Sequence, residues 1–188
     1  MKVLGPNSIL AIPPGCMGLM LQPHWGAPAN DQFAKGSIIG FGDVHTRAHI
    51  YRAILEGLGF ELRRLYEIIR SETGITLEEL RVGGGGSKSD VAVQIAADIF
   101  NLPVSRMNTS EIGSLGAALS AAVGSGMFSS FEEAVSSMVR KVRTFTPDPV
   151  SQRIYNELFH RVYLRIYEKL EPLYKDIASI TGYPAPRN

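Results

Sequence analysis

Apolar and polar residues follow two different periods along the chain, and these periods divide it into predicted strands and helices. The longest periodic stretch predicts a helix that begins after Thr46 and ends at Gly74, with apolar residues three or four positions apart. In front of it, residues 36–42 are an apolar run between glycines, which predicts a buried strand. The expected buried face of the helix consists of Ile50, Ile54, Leu58, Leu62, Leu65 and Ile69.

Further along the chain, short apolar runs alternate with helical patterns. Residues 80–82 predict a strand that leads into four glycines. The next helix is predicted to begin at Ser87 and to bury Val91, Ile95 and Ile99, and residues 103–107 predict another strand. A helix of small residues follows over 113–123 and is expected to stop at Gly124. Such alternation of strands and helices is typical of a largely parallel sheet.

The two ends of the chain have other textures. Residues 1–35 are rich in proline and glycine, with apolar pieces at 8–12 and 18–21 as possible short strands. In the last third, Ser130 and Glu133 form a capping box for a short helix that ends near Arg143. Asp148 then caps a long helix that Pro172 should kink or end. We therefore expect a loop-rich segment over 1–35, an α/β core over 36–145, and a C-terminal helix and tail over 146–188.

Composition narrows the possible classes of protein. With 188 residues, 45% of them apolar and 20% charged, the chain can form one folded domain or two small ones. Nineteen basic and eighteen acidic residues leave a net charge of +1, which argues against nucleic-acid or membrane-surface binding. The apolar runs are shorter than the roughly 20 residues that cross a bilayer, and the first residues lack the apolar stretch of a signal peptide. The single cysteine, Cys16, excludes an internal disulfide. We expect a cytoplasmic protein.

The sharpest chemical feature is the segment RVGGGGSKSD at residues 81–90, where a strand runs through glycines into a helix. Glycines let a ligand approach the backbone, and successive N–H groups before a helix form an anion site. The spacing fits neither a Walker A loop, since Ser87 stands before Lys88, nor a dinucleotide fingerprint, which needs a glycine at 88 or 89. Phosphate binding and a plain flexible turn both remain open, and Lys88 is equally open as a phosphate contact or a solvated side chain.

Other candidate residues favour structural interpretations. His45 and His49 have the i, i+4 spacing of metal pairs, but without a third ligand they are better explained as residues of a helix start. Cys16 is expected to be a buried thiol. Trp25, beside His24, is a candidate platform for a sugar ring and equally a candidate anchor for its loop.

Three segments in order resemble one known family. They are residues 36–56 (GSIIGFGDVHTRAHIYRAILE), residues 82–98 (VGGGGSKSDVAVQIAAD, including Gln94 and Asp98), and residues 103–104 followed by 111–118 (PV and EIGSLGAA). Together they are similar to the C-terminal domain of the FGGY family of carbohydrate kinases, which has the actin/hexokinase-like (ribonuclease H-like) ATPase fold. The resemblance covers about residues 18–170, and the first segment is closest to pentulose-kinase-like members.

The resemblance implies ATP-dependent phosphorylation of a sugar or polyol hydroxyl, with Mg²⁺ on the nucleotide. It places three glycines of the turn along the α-phosphate and ribose, one serine near the adenine, and residues 40–44 beside the phosphates. The implied nucleotide-binding residues are Gly84, Gly85, Gly86, Ser89, Gly40, Asp43 and Val44.

The same resemblance implies that this chain is partial. Whole members are more than twice as long, and their sugar pocket and catalytic aspartate lie mostly upstream. Only with such an N-terminal domain do we expect a sugar substrate, and the chain alone is expected to bind ATP or ADP without catalysing transfer. The loop of His24 and Trp25 lacks the family's Gly-Glu-Arg sequence, so we assign it no substrate contact. Absent strands also predict an exposed sheet edge and self-association. The alternative is a catalytically inactive nucleotide-sensing or interaction module of the same fold.

Overall fold

The computed structural model describes residues 9–26 and 31–183. Contacts divide the chain into two compact units: one runs up to Ile75 and resumes at Pro149, and the other is Thr76–Asp148. The segment boundaries that the sequence predicts near residues 35 and 145 stay a prediction. The strands are β1 Met20–Gln22, β2 Ser37–Ile39, β3 Leu80–Val82, β4 Val104–Met107 and β5 Lys141–Phe145. The helices are α1 Arg47–Thr73, α2 Asp90–Phe100, α3 Ile112–Gly124, α4 Phe131–Met138, α5 Pro149–Leu158 and α6 Leu164–Thr181.

The first unit is built around the long helix α1. Strands β1 and β2 pair in antiparallel fashion, and β1 is buried along its whole length against the helix. Gly57 makes this approach possible, because a Cβ at that position would overlap the carbonyl oxygen of Leu21. On the C-terminal side, α5 and α6 are joined through a π-helical stretch, Phe159–Tyr163, and its two buried aromatic rings pack on Phe60 of α1.

The second unit contains a three-stranded sheet in the order β3-β4-β5. Strand β3 is parallel to β4, across the connecting helix α2, whereas β4 and β5 are antiparallel. Helix α2 covers the sheet with Val93 and Ala97, which meet Val104 and Phe145 in a buried cluster. The expectation of a largely parallel sheet is therefore wrong, because only one of its pairings is parallel. Val91, Ile95 and Ile99 are buried as predicted.

Helix α1 has the predicted ends and a different buried face. Thr46 is its N-cap and Gly74 ends it in the left-handed conformation. The predicted apolar face is wrong beyond Ile54, since Leu58, Leu62, Leu65 and Ile69 are 42–58% exposed. The buried face consists instead of small, charged and aromatic residues: Ala48, Arg52, Ala53, Glu56, Gly57, Gly59 and Phe60. Small residues are buried here because β1 lies so close to the helix axis.

Other local predictions also need correction. The expected buried strand over 36–42 is limited to β2, where Ile38 is 39% exposed. A helix beginning at Ser87 is wrong, because residues up to Lys88 form a 3₁₀ turn and Ser89 is the N-cap. Residues 9–12 form no strand, and Ser8 lies outside the described residues.

Toward the C-terminus, the helix expected to end near Arg143 stops at Met138, and the residues after it form β5. Ser130 caps that helix as predicted, with its hydroxyl accepting from the Glu133 N–H at 3.2 Å. Pro172 does not end the last helix, which continues to Thr181. None of the described helices combines the length and the apolar character needed to cross a membrane.

Candidate functional site

The glycine-rich turn joins β3 to α2 in the second unit. After Gly83, the backbone passes Gly84 at φ 77° and enters the 3₁₀ turn Gly85–Lys88. Ser87 is buried and closes this turn, since its hydroxyl donates to the Gly84 carbonyl at 2.7 Å. Ser89 then caps α2 by accepting from the Ala92 N–H at 3.3 Å. The predicted residues 84–86 and Ser89 thus lie together on one short turn.

The four consecutive glycines differ in how far the surrounding structure requires a residue without a side chain. A Cβ at Gly83 would overlap the side chain of Ile112, so this position must stay small. Gly84 has a positive φ that other residues rarely adopt, and its N–H donates to the Ser110 carbonyl at 2.8 Å. Gly85 and Gly86 face open space, with no protein atom within 4 Å of a built Cβ. The fold therefore requires the first two glycines and leaves a free surface beside the last two.

Charged groups surround the start of α2. Asp90, in the first turn, accepts from Arg106 at 2.6 Å and also pairs with Arg143. These arginines, Arg106 above all, lower the pKa of the Asp90 carboxyl. Both guanidinium groups also stack near the Phe145 ring, at 5.3 and 4.4 Å from its centroid. Lys88 Nζ lies 3.9 Å from the exposed carboxylate of Glu111.

Gln94 and Asp98, which belong to the segment 82–98 that resembles the family, make hydrogen bonds that hold the fold together. The Gln94 amide donates to Asp98 and to the Thr146 carbonyl, both at 2.8 Å. Asp98 in turn accepts from the Asp148 N–H at 2.8 Å. The pair ties the segment that follows β5 to helix α2.

The other predicted nucleotide-binding residues, Gly40, Asp43 and Val44, lie in the first unit, in the loop between β2 and α1. Gly40 has φ 84°, and a Cβ there would overlap the carbonyl oxygen of Gly18. Asp43 and Val44 are exposed. Each of the two predicted nucleotide segments is therefore a compact turn within its own unit.

The two histidines organise this loop. His45 Nδ1 accepts from the Gly42 N–H at 2.7 Å, and His49 Nδ1 accepts from the Thr46 N–H at 3.1 Å. Their rings meet edge to face at 5.5 Å. The interpretation as residues of a helix start is thus supported. Within the described parts of the chain, no three His, Cys, Asp or Glu side chains are grouped closely enough to hold a metal ion.

Cys16 and Trp25 complete the candidates. Cys16 is fully buried, and burial, with a smaller contribution from Glu56, raises the pKa of its thiol to about 12. The thiol is therefore unreactive at neutral pH. Trp25 is 65% exposed, with one edge of its ring against Gly36.

Sequence reasoning missed a buried polar network on α1, formed by Arg52, Glu56 and, from α5, Tyr155. Glu56 Oε1 accepts from Arg52 Nε at 2.7 Å and from the Tyr155 hydroxyl at 2.8 Å. The i, i+4 spacing of Arg52 and Glu56 was visible in the sequence, but such pairs usually lie on exposed helix faces. Their burial depends on Tyr155, about a hundred positions away.

Comparison with known proteins is consistent with this fold and turn. Residues 20–125 match the FGGY family of carbohydrate kinases, C-terminal domain. A xylulose kinase of Bacillus subtilis is 37% identical over 170 residues, which cover 89% of this chain and 34% of that protein. The chain belongs to the FGGY family of carbohydrate kinases, and the predicted likeness to pentulose kinases is confirmed.

Solved structures agree with the predicted actin/hexokinase-like fold. The crystal structure of a xylulose kinase from Rhodospirillum rubrum matches with a TM-score of 0.76 and 29% identity, over 90% of this chain and 34% of that one. A Plasmodium falciparum glycerol kinase with ADP matches with a TM-score of 0.68 and 26% identity, over 85% and 33%. The chain thus spans about a third of the length of these relatives, as a partial domain.

Proposed function

We propose that this chain is the ATP-binding C-terminal part of a carbohydrate kinase that transfers the γ-phosphoryl group of ATP to a sugar hydroxyl. The observation that carries the proposal is the open surface beside Gly85 and Gly86. Neither a neighbouring protein atom nor a positive φ requires glycine at these two positions, and a nucleotide lying on the backbone would favour residues without a Cβ there. A related glycerol kinase was solved with ADP, which supports the same class of ligand.

The residues proposed to bind nucleotide lie in the turn of the second unit and in the loop at residues 40–44 of the first unit. Gly84, Gly85 and Gly86 would run along the α-phosphate and ribose, and Ser89 would lie near the adenine. Gly40, Asp43 and Val44 would border the phosphates. Mg²⁺ would arrive on the phosphates of the nucleotide, where it neutralises charge during transfer.

The sugar is proposed to be a ketopentose or a polyol, since the relatives include xylulose and glycerol kinases. Phosphoryl transfer needs a base for the attacking hydroxyl. Asp90 is already bound by two arginines, so we do not assign it this role. We propose that the catalytic aspartate and the sugar pocket belong to an N-terminal domain, and that this chain alone binds nucleotide without turnover.

Titration calorimetry with Mg·ADP tests the nucleotide site. Gly85→Val should abolish binding, because its branched side chain fills the open surface on which the ligand lies. The matched control is Gly116→Ala on α3, an exposed glycine where an added Cβ would also meet no neighbouring atom within 4 Å. Wild-type binding that Gly85→Val leaves unchanged, with both variants folded, would contradict the proposed position of the nucleotide.

A further inference from the structure

The chain makes an unusual left-handed turn directly before β1. Gly15, Cys16, Met17 and Gly18 have φ values of 79°, 50°, 55° and 93°. Two of the four are not glycines, and left-handed geometry is strained for residues with a Cβ. Strain of this kind persists only where the surrounding structure holds it, and it is concentrated at functional sites.

Two hydrogen bonds hold this left-handed turn on helix α1. The Gly15 N–H donates to Glu56 Oε1 at 3.3 Å, and the Cys16 thiol donates to the His49 carbonyl at 3.0 Å. A Cβ at Gly15 would stand 2.8 Å from the Leu158 side chain, so the turn is also wedged against α5. The turn is thus fixed from two directions.

Glu56 is itself held by the buried network. Its Oε1 atom accepts from Arg52 and from Tyr155, and Arg52 also donates to Tyr155 at 2.9 Å and to the Ile9 carbonyl at 3.1 Å. Exposure of Glu56, Arg52 and Tyr155 is 2%, 6% and 0%. These fixed donors hold the Glu56 carboxylate in a single orientation. The carboxylate therefore holds the Gly15 N–H, which also donates to it, in a fixed position.

The far end of the left-handed turn touches the loop at residues 40–44. The Gly18 carbonyl oxygen occupies the space that a Cβ of Gly40 would need. Beyond this contact, the Gly42 N–H donates to His45 Nδ1 and the Gly42 carbonyl accepts from the His45 N–H. This contact, together with the pairing of Ile39 with Met20, sets where the loop begins.

We propose that Glu56 is a positioning residue for nucleotide binding: it holds the left-handed turn against Gly40 and thereby fixes residues 40–44 where the phosphates bind. Glu56 touches no ligand in this scheme and acts through Gly15 and Gly18. The inference rests on the proposed function for its ligand, and on the geometry of the first unit for its mechanism.

Amide hydrogen exchange of the whole chain, without ligand, tests the mechanism. Glu56→Gln and Tyr155→Phe each weaken the network, and the second keeps the buried charges paired if the first fails to fold. The matched control is Tyr163→Phe, which removes a similarly buried hydroxyl that donates to Glu61 on the same helix at 2.9 Å.

We expect exchange at the Gly42 and Gly18 amides to be at least about tenfold faster in Tyr155→Phe than in Tyr163→Phe, while amides of α2 in the second unit keep their rates. Equal rates at Gly42 and Gly18 in the two variants would overturn the role of the network.

Titration with Mg·ADP and with adenosine then tests the link to nucleotide. Tyr155→Phe should weaken ADP binding several-fold and leave adenosine binding unchanged, since only the phosphates are expected to meet residues 40–44. Equal losses for both ligands, or none for ADP, would overturn the positioning role. A wild-type chain that binds neither ligand would contradict the proposed function, and the exchange rates would still decide whether Glu56 holds the loop.

Discussion

At the scale of single residues, neighbouring glycines in this chain are needed for different local reasons. In the run at residues 83–86, Gly83 is required by the Ile112 side chain and Gly84 by its positive φ, whereas Gly85 and Gly86 face open space. The fold therefore accounts for the first two glycines of the run by two different physical causes, and not for the last two. The sequence left phosphate binding and a plain flexible turn both open for this run, and it could not say which of the glycines the fold itself requires.

Gly40 offers a direct test of close backbone approach. Gly40→Ala and Gly74→Ala both place a Cβ on a left-handed residue, at φ 84° and 71°, but only the first meets a backbone atom, the Gly18 carbonyl. Gly40→Ala should therefore lower the free energy of unfolding by about 1–3 kcal/mol more than Gly74→Ala. Urea denaturation of both variants measures the difference, and similar losses would mean that the contact with Gly18 is loose.

Helix α1 shows where periodicity predicts well and where it misleads. Its ends follow from capping chemistry at Thr46 and Gly74, and both are confirmed. Its buried face does not follow from the large apolar residues, because β1 and the C-terminal helices approach through Ala53, Gly57 and Phe60. Strand β5 was missed for a related reason: Lys141 and Arg143 on a short, exposed strand resemble the polar end of a helix.

The contact between α1 and the C-terminal helical segment should depend on acid pH through Glu61. Glu61 accepts from Arg64 at 2.6 Å and from the Tyr163 hydroxyl at 2.9 Å, with His24 at 3.7 Å. Burial raises the pKa of Glu61, but the nearby His24 and the hydrogen bonds from Arg64 and Tyr163 outweigh it and lower the pKa from 4.5 to about 2.

Because the pKa is lower in the folded state, the contribution of Glu61 is complete above pH 4.5 and is lost as the pH falls toward 2. We expect the wild type to lose up to about 3 kcal/mol more over this interval than Glu61→Gln. Thermal unfolding of both proteins between pH 2 and 6 measures this. Parallel pH profiles would show that Glu61 does not carry the effect.

Beyond its elements, the chain consists of two compact units, and it spans about a third of the length of its xylulose kinase relatives. Each unit has a small sheet. Within residues 9–26 and 31–183, β3 pairs only with β4, and β1 and β2 pair only with each other. Unpaired edges are templates for further strands, so the expected self-association remains our proposal.

Sedimentation velocity over a hundredfold range of concentration tests this proposal. We expect the weight-average sedimentation coefficient to rise with concentration, and to change little with salt, because backbone pairing is not a charge effect. A single monomer species at the highest concentration would contradict pairing through a sheet edge.

The order of residues alone predicted the positions of most helices and strands and the turn at residues 81–90, and the resemblance of three segments to a known family predicted the family. Caps, glycines and apolar periods act over a few positions, so they can be recognised without knowledge of the tertiary contacts. Tertiary structure decided which face of α1 is buried, that Arg52 and Glu56 meet Tyr155 inside the first unit, and that Gly18 touches Gly40. These contacts join residues up to about a hundred positions apart, and only packing distances select them.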